Sequence, residues 1–202
     1  MRIIGGRFRG SHLATPGKAA EGQLRPTSDR VREAVFNLLA HGNYGQPSPP
    51  ENRRVLDLFA GTGALGIEAL SRGASFTVFV EDHPASRALI RENVERLRLT
   101  GETKIWRRDA TRLGPCRSAP FDLIFADPPY GRDLGGKALA SARAGGWIAP
   151  GAIIVLEFGR DEAAPELPGL CLVEDRHYGD SRILILVDGS QHRSAGNGQA
   201  ED

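Results

Sequence analysis

The chain has 202 residues, a length that suits one domain with a small addition at one end. Hydrophobic residues make up 40% and charged residues 25%, close to the globular average, which excludes a fibrous or wholly disordered chain. Net charge is +1, and the two cysteines, Cys116 and Cys171, stand apart without CxxC spacing, so neither a disulfide framework nor a zinc site is suggested.

Residues 1–26 mix short β-prone pieces (RII, FRG, HLA) with Gly and Arg and are read as a basic β arm. Residues 1–32 hold seven Lys or Arg against two acids, a balance of +5, so the other 170 residues carry −4. Such asymmetry suits a basic lobe for a polyanion beside a neutral or acidic body, with a solvated charged face as the alternative. The start, MRIIGGRFRG, has no apolar core region, and no run approaches 18 apolar residues. Neither a secretion signal nor a membrane span is expected, and the isolated cysteines fit a reducing cytosol, so a cytoplasmic location is expected.

Thr27 or Ser28 can cap a helix over 28–41 with Asp29 in its first turn, and Val31, Val35, Leu38 and Leu39 fall on one face. Residues 42–52, GNYGQPSPPEN, are a Pro/Gly-rich linker. A catalytic sheet over 53–187 follows. Strands are expected at 55–59, 76–81, 103–107, 121–126, 153–158, near 170–176 and at 182–187, and helices at 64–72, from Pro84, and near 134–145. Alternating strands and helices make an α/β fold with a mainly parallel sheet, closed by an antiparallel hairpin. The tail, 188–202, is polar and aperiodic and is expected to be disordered.

The turn after the first strand reads Asp57-Leu-Phe-Ala-Gly61-Thr-Gly63-Ala-Leu-Gly66. Its glycines satisfy GxGxxG, and Glu81 ends the next strand, so the segment passes the dinucleotide fingerprint. A nicotinamide-linked oxidoreductase therefore competes, and a plain tight turn is the structural alternative. Three features favour S-adenosylmethionine. Asp57 would repel a pyrophosphate but suits a cationic amino-acid end. A DPPY segment follows the fourth strand. The C-terminal hairpin replaces the second mononucleotide half of a dinucleotide fold. Ligands of open α/β sheets sit at the carboxyl ends of strands. There Glu81 is placed to accept ribose hydroxyls, and Asp109 to accept from the adenine amino group with the Ala110 amide near the ring.

Asp127-Pro128-Pro129-Tyr130 directly follows FDLIFA. The prolines restrict the backbone and remove two amide donors. An exocyclic amine on a base is a poor nucleophile because its lone pair is delocalised into the ring. Asp127 and the Pro128 carbonyl can accept its two N–H groups and favour the tetrahedral nitrogen as it attacks a sulfonium methyl. Tyr130 offers a face to stack an extruded base, worth about 1–3 kcal/mol. A rigid Pro-Pro turn is the bland alternative. Pro115-Cys116 precedes the fourth strand and is read as a loop rather than a cytosine-methylating nucleophile. The five histidines show no ligand spacing, Trp106 and Trp147 read as packing residues, and Tyr178-Gly179-Asp180-Ser181 as the turn between the last strands.

These residues, with RIIGG (2–6), Arg9-Gly10, RPTSDRVREAVFN (25–37) and LDLFAGTGALGIEALSRGA (56–74), resemble the RsmD family of bacterial enzymes that methylate N2 of a guanine in 16S ribosomal RNA. The resemblance covers residues 1 to about 187. The glycine turn and DPPY are shared by many methyltransferases; the RIIGG arm and the RPT…DRVRE helix are particular to the family. It implies a class I S-adenosylmethionine-dependent methyltransferase, with a Rossmann-like seven-stranded sheet, its last strand antiparallel, and a small N-terminal β extension. It implies that Asp57, Phe59, Ala60, Gly61, Thr62, Gly63, Glu81, Asp82, Asp109 and Ala110 line the cofactor, and that Asp127, Pro128 and Tyr130 hold the base. Arg2, Arg7, Arg9, Arg25, Thr27 and Arg30 would meet RNA. The partner would be 16S rRNA in the small ribosomal subunit or its assembly intermediate, with the enzyme acting as a monomer. Other members carry Phe at the position of Tyr130. An N6-adenine methyltransferase on DNA or RNA stays open on the DPPY chemistry alone, and so does a silent RNA-binding module.

Overall fold

The computed structural model describes residues 1–17 and 29–189. Arg25 and the expected caps Thr27 and Ser28 lie outside the described residues, as does the tail from 190. The elements run α1 (Asp29–His41), β1 (Arg54–Leu58), α2 (Ala64–Ser71), β2 (Phe76–Val80), α3 (Pro84–Arg96), β3 (Thr103–Trp106), β4 (Phe121–Ala126), α4 (Leu134–Ala144), β5 (Ile148–Gly159), β6 (Leu170–Tyr178) and β7 (Ser181–Asp188). They form one seven-stranded sheet in the order β3-β2-β1-β4-β5-β7-β6. β1 to β5 pair in parallel, and β7 runs antiparallel to both β5 and β6. The C-terminal hairpin thus turns back so that its second strand, not its first, joins β5.

Alternation along each strand splits the core into two layers. Val55, Leu123, Phe125, Ile153, Val155, Ile183 and Ile185 face α1, α2, α3 and the arm. Leu56, Leu58, Ile124, Ile154, Leu156, Leu184 and Leu186 face α4 and Trp147. A strand buried on both faces reads as a continuous apolar run, which is why the parallel strands were visible in the sequence. β5 begins earlier than the apolar run predicts. Pro150 and Gly151 are exposed at a register shift against β4, where the ladder does not need the missing amide of Pro150. In α1, Phe36 is fully buried while Leu38 is only partly so, because Phe36 packs its ring 5.6 Å from Phe125.

The described part of the arm, residues 1–17, makes an antiparallel bridge, Arg2 to His12, and a 3-10 turn at Gly6–Phe8. Its backbone is tied to the C-terminal half of α2. The Ile4 and Gly5 amides donate to the two oxygens of Glu68 at 2.8 Å each, and Ser71 Oγ donates to the Gly5 carbonyl at 2.6 Å. Gly6 has φ +74° and its missing Cβ would stand 1.8 Å from the Ser71 carbonyl oxygen, so only glycine fits there. Arg32 of α1 is wholly buried among these groups, donating to Asp29 at 2.9 Å and to the Arg2 carbonyl, with Glu68 Oε2 3.7 Å away. The sequence-level count placed Arg32 in the basic lobe. The structure removes it, because a guanidinium sealed against α2 is closed to a polyanion. RIIGG and DRVRE are thus two halves of one docking joint.

Candidate active site

Four acids stand at the carboxyl ends of four adjacent strands. In the sheet Val80, Leu58, Ala126 and Leu156 share one rung. Glu81, Asp127 and Glu157 each follow it by one residue, and Asp57 precedes it. All four line a cavity of about 910 Å³ with Phe59, Ala60, Gly61, Thr62 and Asp82. That volume lies in the range of small-molecule sites. The same cavity takes in Pro128, Pro129 and Tyr130, so the glycine turn and the DPPY segment share one space.

Local structure fixes each acid. Asp57 is buried, and its Oδ2 accepts from the Gly66 amide in the first turn of α2 at 2.9 Å. A Cβ on Gly66 would meet Phe79 at 2.5 Å and Thr77 at 2.8 Å, so glycine lets α2 lie close enough for that bond. Burial pushes the Asp57 carboxyl well above the usual range, and the charges of Asp127 and Glu81 push it the same way against the pull of the Gly66 bond. Glu81 Oε2 accepts from the Gly61 amide and Oε1 from the His83 amide, both at 2.8 Å. Burial raises its carboxyl too, opposed by those two bonds. Tyr130 donates its hydroxyl to Glu157 Oε1 at 2.8 Å and lies 2.9 Å from Ser181 Oγ, which also donates to Glu157 Oε1 at 2.8 Å. Burial raises the Tyr130 phenol far above its ordinary value, and the Glu157 charge adds to this, so it stays a neutral donor.

This arrangement suits a cation and amines rather than a pyrophosphate. The Gly61 amide, which a dinucleotide site would aim at phosphate, is bonded to a carboxylate instead. The acids around the cavity add negative potential that repels anions and attracts a sulfonium and an ammonium.

The comparisons agree. The profile described as "Conserved hypothetical protein 95" matches residues 1–187. Ribosomal RNA small subunit methyltransferase D of Escherichia coli is 36% identical over 169 residues, 83% of this chain and 79% of that protein. The putative rRNA methyltransferase YlbH of Bacillus subtilis is 35% identical over 190 residues, 92% of this chain and 97% of that protein. The chain belongs to the RsmD family. Among solved structures, the putative methyltransferase yhhF from Escherichia coli superposes with a TM-score of 0.79 at 30% identity, covering 95% of this chain and 99% of that one. The family assignment carries the fold and the cofactor: this is an S-adenosylmethionine-dependent methyltransferase of class I. Among the described residues, no helix is long and apolar enough to cross a membrane.

Several expected site residues fall elsewhere. Asp109 and Ala110 are not among the cavity's lining residues. Asp109 caps its own 3-10 turn, its Oδ1 accepting from the Thr111 amide at 2.8 Å and hydroxyl at 2.7 Å, which holds the carboxyl below its ordinary range. Ala110 is buried in the core beside α4. Gly63 is the left-handed N-cap of α2, walled by Phe79, Ile67 and Ile90. On the arm, Arg2 and Arg9 are exposed, while Arg7 pairs with Glu102 and stacks over Phe8. Arg30 lines the cavity.

Sequence reasoning missed Glu157 and Ser181. A lone acid inside the apolar strand IIVLEF was the available signal, since buried carboxylates are rare without a partner. Ser181 was read as part of a turn, and it is one, but that turn also reaches the cavity.

Proposed function

We propose that the chain methylates the exocyclic N2 amino group of a guanine in 16S rRNA, in the small ribosomal subunit or a particle assembling into it. The observation that carries this reading is the shared cavity of Asp57, Glu81 and the Asp127–Tyr130 segment. The names of the Escherichia coli and Bacillus subtilis relatives supply the substrate class.

The cavity residues fit the cofactor: Asp57 takes the ammonium end, Glu81 the ribose hydroxyls through the lone pairs its backbone bonds leave, and Phe59, Ala60 and Thr62 the walls. S-adenosylmethionine supplies an electrophilic methyl group on a sulfonium. Asp127 and the Pro128 carbonyl accept the two N–H groups of the amine and draw its lone pair out of the ring. Their acceptance strengthens as positive charge develops on nitrogen, which lowers the barrier rather than merely the binding energy. Tyr130 presents its ring to the extruded base, and its tie to Glu157 and Ser181 holds that ring in place. Arg30 at the cavity, with Arg2, Arg7 and Arg9 on the docked arm, meets RNA phosphates.

The test is transfer from labelled S-adenosylmethionine to small subunits from cells lacking this protein, followed by nucleoside analysis. Label in N2-methylguanosine is expected. Label in N6-methyladenosine would replace guanine by adenine and overturn the reading.

A further inference from the structure

We infer that Glu157 reads the ring N1–H of the target base and so selects guanine over adenine. This deepens the guanine-N2 reading and rests on it.

Glu157 lies on β5 beside the Asp127 strand, one rung past the Ala126–Leu156 pair, and lines the same cavity. It is 6% exposed. Among the described residues it receives hydrogen bonds from Tyr130 and Ser181; both fall on Oε1, and Oε2 takes no part in them. Those bonds come from two different elements and fix the carboxylate's rotation. A carboxylate can only accept. It is therefore anchored by one oxygen beside the ring that stacks the base, and the other oxygen, on a residue that lines the cavity, is not engaged by those two bonds.

The chemistry of purines then decides. In guanine the amine that Asp127 and Pro128 would hold sits next to N1–H, a donor. In adenine the reactive N6 amine sits next to N1 as well, but that N1 is an acceptor. With the amine held in the same place, guanine gives Glu157 a charge-assisted hydrogen bond. Adenine would set a lone pair against the carboxylate. Sites built to bond a donor reject an analogue that lacks it strongly, because the buried group is left unpaired. The DPPY segment cannot make this distinction, since its acceptors see only the amine. The Tyr130 hydroxyl has a use here that a bare ring would lack: it orients the residue that reads the base.

The test uses 2-aminoadenine, which carries the same 2-amino group but an unprotonated N1. Small subunits are reconstituted from ligated 16S rRNA with guanine or 2-aminoadenine at the methylated position. Methyl transfer from labelled S-adenosylmethionine is measured for the wild-type enzyme and Glu157→Gln. The wild type is expected to favour guanine by about 10- to 100-fold. Glu157→Gln, whose amide N–H can donate to the bare N1, should move that ratio at least about tenfold toward 2-aminoadenine. Comparing ratios removes any effect of the changed group at position 6, which both enzymes meet. Equal wild-type rates on the two bases would overturn the inference without needing a variant. So would an equal loss on both bases in Glu157→Gln, which would leave Glu157 as a positioning residue for Tyr130. Failure of the wild type to label guanine N2 at all would overturn the function proposed above, and this inference with it.

Discussion

Glu81 closes the glycine turn by accepting the Gly61 amide at 2.8 Å, twenty residues away in the chain. The bond joins the ends of β1 and β2 and commits the amide that a phosphate would otherwise claim. Glu81→Ala leaves this donor and the His83 amide without their acceptor. Both amides are only partly buried, so a loss of about 1 kcal/mol is expected, with weaker S-adenosylmethionine binding. Chemical denaturation and calorimetric titration would check both. Measurable NADH binding by the wild type would contradict this account of the turn.

The raised carboxyls predict opposing pH trends. Burial raises Asp57 most, and it also raises Glu81. Each binds its proton more tightly folded than unfolded. The stability this gives is complete below the ordinary carboxylate value, about 4, and is lost as pH rises through the raised folded values. A cationic cofactor favours the ionised carboxyls, so its affinity should rise over the same window, with proton release on binding. Asp57→Asn keeps an oxygen for the Gly66 amide and removes the buried charge. It should flatten the stability trend, leave the free enzyme at least as stable near neutral pH, and weaken the cofactor about tenfold or more. Melting curves and titrations in buffers of different ionisation enthalpy would decide.

Asp127→Ala removes an acceptor whose bond strengthens in the transition state. Turnover should fall about 100- to 1,000-fold. Cofactor affinity should hold, because the loss of Asp127 also relieves a charge that opposes ionisation of Asp57. Single-turnover rates beside equilibrium binding separate the two effects. Near-normal turnover would remove Asp127 from the chemistry.

Gly6→Ala sets a methyl group against the Ser71 carbonyl at a left-handed φ. The arm should undock, freeing Glu68 and Arg32 from their backbone partners and costing about 2 kcal/mol or more. Substrate binding should weaken with it. Hydrogen exchange at the Ile4 and Gly5 amides would report the undocking directly, and continued protection would contradict the joint described here.

Arg7 is paired with Glu102, both partly exposed, so its charge is shared before any RNA arrives. Glu102→Gln should strengthen RNA binding modestly and steepen its salt dependence. Arg7→Ala with Arg9→Ala should do the reverse, because each lost phosphate contact removes a released counterion. Filter binding across a salt series measures the slope. An unchanged slope in the double variant would take the arm off the RNA path.

Much of the fold was legible because its signals are local. A strand buried on both faces is mostly apolar, and LDLF, FTVFV and FDLIFA read so apart from Asp57, Thr77 and Asp122. Pro84 at the start of α3 and the glycines after β1 mark turns by conformational need alone. Asp57, Glu81 and Asp127 were legible for a related reason: an acid at the end of such a strand has one place to go in an open α/β sheet. Other features depend on groups distant in sequence. Asp109 met the same strand-end rule, yet its carboxylate found Thr111 two residues on and caps a turn. Arg32 and Glu157 are charged residues in helical and strand patterns that say nothing of their partners. One is sealed by the arm, and the other is held by a tyrosine from the loop after β4 and a serine at the start of β7. The sequence by itself determined which strands exist and which acids end them, since periodicity and chain stiffness act over a few residues. Only the tertiary structure decided which charges are exposed, which are paired and which face the cavity, because burial and hydrogen bonding belong to neighbours in space.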